Sequence, residues 1–110
     1  MVMLIDEIQT IYNLLSQSIK ALKKTSNAYA AAEKDYKILL RQEALRLKDE
    51  GMAIGLINLT CYGIPSVAEA RFKRDIAEAT YKANQEAIQA YKLQLRLLDS
   101  QAQREWSVNE

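Results

Sequence analysis

The chain has no histidine, one cysteine, one proline and three glycines among 110 residues. Without histidine it lacks the commonest general base. With one cysteine as well, it cannot form an internal disulfide or a zinc site built from cysteine and histidine. The Glu-x-x-His pairs of carboxylate di-metal bundles are excluded for the same reason. Cys61 stands among Leu59, Thr60 and Tyr62 with no adjacent base, the setting of a structural thiol rather than a nucleophile. GMAIG (residues 51–55) follows no strand pattern and lacks the Lys-Ser or Lys-Thr ending of a phosphate loop. These absences point to a non-enzymatic protein without cofactor or metal.

A strong charge of one sign is also missing. Fifteen Lys and Arg against fourteen Asp and Glu leave a formal charge of +1, so any nucleic-acid binding has to be local rather than driven by a global basic field. The start, MVMLIDEIQT, lacks a basic region and a long apolar run, which argues against a signal peptide. Residues 51–68 carry no charge, but Asn58, Thr60, Tyr62, Pro65, Ser66 and three glycines make poor material for a membrane span. The expectation is a protein without membrane association that stays inside the cell that makes it.

All the helix breakers lie in one place, GMAIGLINLTCYGIPSVAE (residues 51–69). Before it, a pattern in alternating steps of three and four runs Ile5, Ile8, Tyr12, Leu15, Ile19, Leu22, Ser26, Tyr29, Glu33, Tyr36, Leu40, Glu43 and Leu47, apolar at all positions but Ser26, Glu33 and Glu43. This predicts one helix of about 45 residues within about residues 3–50, roughly 68 Å long. Leu4, Ile11, Leu14 and Leu39 widen the stripe, beyond what a single partner helix would cover. After the breakers, Ser66 and Glu69 form a capping-box pattern behind Pro65, opening a second helix to about residue 106. Its predicted stripe is Phe72, Ile76, Ala79, Ala83, Ala87, Ala90, Tyr91, Leu95, Leu98, Ala102 and Trp106.

The fold class read from this pattern is all-α: a long antiparallel two-helix hairpin in one domain over residues 1–110, self-associating into a helical bundle, with a dimer favoured. The connection, residues 51–65, holds a short apolar helix, with Gly51 ending the first helix and Gly63 in the left-handed terminal position. A chain reversal near residue 58 sets Ala28 and Ala30–Ala32 level with Ala83–Ala90 as a tight waist, and Trp106 over Ile8 and Tyr12. In the same alignment Glu33 faces Lys82 and Glu43 faces Lys73, pairs that would fix the register.

RLKDEGMA (residues 46–53), Gly63, VAEARFKRD (residues 67–75), Ala77, Glu78, Tyr81 and REW (residues 104–106) together resemble a loose group of small helical proteins. That group is encoded by temperate phages and prophages of Gram-positive bacteria, often near replication and recombination genes. The resemblance covers about residues 45–106. It implies a phage setting and carries no catalytic residues.

Two surfaces are candidates for binding. The connection is either a buried plug over the hairpin, turning Ile54, Ile57 and Leu59 toward Tyr36, Leu40, Leu47, Phe72 and Ile76, or a surface for a partner protein through Met52, Ile54, Leu56, Ile57 and Tyr62. Along the first helix, Lys20, Lys34, Arg41 and Lys48 occupy one heptad flank with Lys23 and Lys37 beside them, a basic ridge able to follow phosphates of single-stranded DNA or simply a solvated flank. The leading reading is an interaction protein acting through helical surfaces on a phage or host protein of replication, recombination or host defence. The alternatives are a nucleic-acid-binding accessory protein using the ridge, and a structural virion component.

Overall fold

The computed structural model describes residues 2–109, and these form three helices with no strand: α1 (Val2–Asp49), α2 (Ile54–Tyr62) and α3 (Pro65–Asn109). α1 and α3 pack together. None of the described helices is long and apolar enough to cross a membrane. The chain divides into two compact units, residues 1–24 with 82–110, and residues 25–81.

In the first unit, Leu4, Ile8, Ile11, Leu15, Ser18 and Leu22 of α1 are the buried or half-buried positions of a heptad seam. α3 answers with Asn84, Ile88, Tyr91, Leu95, Leu98 and Ala102. The seam therefore runs one residue away from the sequence reading at every second position, with Ile5, Tyr12 and Ile19 exposed. At Ser18 the backbone carbonyl accepts a 2.9 Å hydrogen bond from the Asn84 side-chain amide. Leu4, Ile11 and Leu14 are covered within the chain, so they do not supply the reason for a second copy that their sequence positions suggested. Trp106 is 64% exposed and shares a depression with Ile5 and Ala102. It does not close over Ile8 and Tyr12.

In the second unit, α3 turns Val67, Ala70, Arg74, Ala77 and Tyr81 inward. Phe72, 60% exposed, and Ile76 lie outside. Tyr29 and Tyr81 meet with ring centroids 5.9 Å apart. Tyr36 is buried beneath the Arg74 guanidinium, 4.7 Å from its ring centroid, a cation–π contact. Glu33 pairs with Lys37 at 3.4 Å and Arg74 at 4.0 Å, and Glu43 with Arg46 at 2.7 Å, so neither takes the Lys82 or Lys73 partner expected. The alanine waist does not form as drawn. Ala28, Ala30 and Ala31 are exposed, as are Ala83 and Ala90, and the aromatic Tyr81 stands beside Tyr29.

The breakers act at α1's end and α3's start. Gly51, at φ 89°, ends α1. Its N–H donates to the Lys48 carbonyl and that of Met52 to the Leu47 carbonyl, the two bonds of a Schellman motif. The apolar contact that accompanies this motif is present, because Met52 packs on the cluster containing Leu47. Gly63 is right-handed, at φ −88°, contrary to expectation, and no described residue between α2 and α3 is left-handed. The N–H of Ala68 donates to the Ile64 carbonyl at 2.9 Å, so α3 opens at Ile64 with Pro65 in the first helical position. Pro suits that position because its missing N–H would have no helical acceptor. Ser66 consequently lies inside the helix, where it cannot cap it.

α2 has nine residues, too few for a stable isolated helix, and is held by one face. Ile57 and Cys61, one turn apart, form a buried cluster with Leu47, against which Leu40, Ala44, Met52 and Ile64 pack. Ile57 is 8% exposed, whereas Ile54 and Leu59 are 77% and 76% exposed. The connection is thus a plug on one face and open surface on the other.

Two paired predictions follow from this geometry. Gly51→Ala forces a side chain into the left-handed region and should cost about 1 kcal/mol. Gly55→Ala, in α2 with open space around the added methyl group, should instead add about 0.4–1 kcal/mol. Urea denaturation measures both. Ile57→Ser should lose about 2–5 kcal/mol, as for other deleted core aliphatics, while Leu59→Ser should stay within about 0.5 kcal/mol of the native protein.

Candidate functional site

The second unit carries two neighbouring depressions where α1 meets α2. The larger, about 650 Å³, is lined by Lys37, Ile38, Leu40, Arg41, Ala44, Asn58, Cys61 and Tyr62. The smaller, about 380 Å³, is lined by Arg41, Ala44, Leu45, Lys48, Ile54, Ile57 and Asn58. Arg41, Ala44 and Asn58 belong to both, so the two form one groove.

The groove exists because α1 has two apolar stripes in this region. One, Tyr36, Leu40 and Leu47, is spent on the core. The other, Ile38 and Leu45, is seven residues apart, two helical turns, and stays half exposed. α2 supplies the opposite wall through Ile54, Asn58 and Tyr62, one turn apart on one face.

Several residues picked from the sequence converge here. Ile54, Ile57 and Tyr62 from the connection line the same groove as Lys37, Arg41 and Lys48 from the basic ridge. Others do not join them. Met52 packs against the core cluster. Leu56 is exposed but lines neither depression. Lys34 is exposed and also outside the lining, while Lys20 and Lys23 are exposed on the other unit. Ile38, Leu45 and Asn58 were not picked. The signal for the first two was available: an apolar pair at heptad spacing, off the main seam and interleaved with Arg41 and Lys48.

Charge around the groove is unevenly neutralised. Lys37 shares Glu33, whose carboxyl group is held below its usual range chiefly by a hydrogen bond from Tyr29, then by Lys37, with Arg74 adding to them. Away from the groove, Arg46 is clamped between Glu43 at 2.7 Å and Glu50 at 2.8 Å, which raises its pKa above the ordinary arginine value. Arg41 and Lys48 have no ion pair among the described residues. Tyr62, at the groove's end, has the Arg71 guanidinium 5.8 Å from its ring centroid.

The chain matches no family model, and no curated protein or solved structure shows a significant match to it. The groove is therefore interpreted from its own residues.

Glu33 supplies a pH test. Its pKa is lowered on folding, so its contribution is fully present above the ordinary value of 4.5 and is lost as pH falls through the lower folded value. Glu33→Gln should melt at lower temperature than the native protein at neutral pH. That difference should shrink as acid protonates Glu33, when melting temperatures are compared between pH 7 and the acid limit of folding.

Proposed function

We propose that this chain is a non-enzymatic interaction protein that grips a helix of another protein in the α1–α2 groove of the 25–81 unit. The observation that carries this reading is the division of labour within the connection. Ile57 and Cys61 anchor α2 to the core, while Ile54 remains open to solvent across from Ile38 and Leu45 of α1. A concave apolar strip between two helices, with polar groups at its edges, is the form that receives an amphipathic helix through anchors at i, i+3, i+4 and i+7.

In this reading, suggested by the resemblance of residues 45–106 to early-region phage proteins, the partner is a phage or host protein of replication, recombination or host defence in the bacterial cytoplasm. The finer reading of the fold, a self-associating hairpin, belongs to the same proposal. Its support is the exposure of Ile5, Tyr12 and Ile19 on α1 and of Leu93 and Leu97 on α3 in the first unit, apolar side chains suited to a second copy. DNA binding along the basic ridge is the weaker alternative, because Lys37 is already engaged by Glu33 and the surface beside Arg41 and Lys48 is aliphatic.

Helical peptides selected from a displayed library on the native protein test the groove. Their affinity should fall about tenfold or more on the double variant Ile38→Asp, Leu45→Asp, the loss typical of removing central apolar anchors. Both positions are half exposed, so far-UV circular dichroism should be unchanged. Selected peptides that bind the double variant as well as the native protein place the working surface elsewhere.

A further inference from the structure

We infer that the helix accepted by the groove is acidic as well as amphipathic; this rests on the groove being the binding surface. The lining includes three cations, Lys37, Arg41 and Lys48, and no aspartate or glutamate. Elsewhere in the same unit Arg46 is neutralised by Glu43 and Glu50, and Arg74 by Asp75 at 2.9 Å. Lys34, Arg71 and Lys73 also lack an ion pair among the described residues, but they line neither depression, whereas the cations of the groove border its apolar strip. Arg41 and Lys48 have no ion pair among the described residues, and the Glu33 that meets Lys37 is shared with Arg74.

Their spacing adds a geometric requirement. Arg41 and Lys48 are seven residues apart on α1, which is about 10.5 Å along the helix axis. A partner helix lying along α1 meets both with carboxylates two turns apart on its own surface. Its apolar face would then rest on Ile38, Leu45 and Ile54. Charges at the edge of such a contact fix register and orientation and exclude partners of the wrong sign.

A single-stranded nucleic acid would meet the same cations but needs aromatic faces on which to stack its bases. The groove offers one aromatic ring, Tyr62, and Arg71 already lies over it.

Three fluorescent probes test the assignment on the full chain at low and moderate salt. The first is a designed helix of about 18 residues with leucine at i, i+3, i+4 and i+7 and glutamate along both flanks. The second replaces every glutamate by lysine, and the third is oligothymidylate of about twenty nucleotides. The glutamate peptide should bind, more weakly as salt rises. The double variant Arg41→Glu, Lys48→Glu should lose about tenfold or more in affinity for it and gain the lysine peptide instead. Because both side chains are exposed, helicity should not change.

If both peptides bind the native protein equally and the Ile38→Asp, Leu45→Asp variant loses both, the groove reading stands and the acidic assignment falls. If neither peptide binds, both fall. Preference for oligothymidylate, abolished by the charge reversal, assigns the surface to nucleic acid and overturns the inference. So does sedimentation showing that charge reversal splits a dimer, which would make a second copy the occupant.

Discussion

A helix that lies against one other helix can hide only one stripe of its surface. Much of this chain obeys that restriction. α1 has 48 residues and α3 has 45, each with apolar side chains on more than one face. Among the described residues, only Leu4, Tyr36, Leu47, Ile57, Cys61, Val67 and Ile88 are deeply buried. Burial that thin leaves little surplus for helix formation, so the pairing of seam positions has to supply it. The apolar groups left over are a geometric consequence of packing helices in pairs, and in the 25–81 unit α2 collects some of them into a groove.

Within each seam, polar contacts limit how the helices can slide. In the first unit, Asn84 spends its amide on the Ser18 carbonyl. A shift of one turn would leave that half-buried amide without its acceptor, at the usual cost of an unmet hydrogen bond. In the second, Arg74 covers Tyr36, reaches Glu33 and holds Asp75, a geometry that another register would break. Apolar contacts between heptad seams repeat every seven residues and distinguish neighbouring registers poorly. Asn84 and Arg74 make the distinction locally, each in its own unit.

The helical class, the breaker-rich connection with its short helix, and the end of α1 at Gly51 were legible in the sequence, because breakers and their absence act locally. Register was less legible. Leu4 and Ile5, and Ile11 and Tyr12, are adjacent apolar pairs, and periodicity alone does not say which member turns inward. At Ser18, Arg74 and Asn84 the search for apolar residues misled, since those seam positions are polar, and the Arg74 and Asn84 side chains are engaged by long-range contacts. Phe72 and Ile76 misled in the opposite sense: they form an apolar pair at helical spacing that faces outward. Gly63 was read as a left-handed stop because glycine permits that conformation, yet it takes right-handed backbone and the chain enters α3 without a left-handed residue. The candidate groove was half legible. Its basic wall and its α2 wall were both picked, but as separate surfaces, because nothing local to either stretch reveals that they converge.

Cys61 sits at the junction of these themes, buried in the cluster beneath α2 and lining the floor of the larger depression. Cys61 is 2% exposed, so the rate at which a reagent captures its sulfur clocks how readily the packing around α2 opens against the rest of the fold. The single thiol of the chain is thus a built-in reporter on the motion of the connection.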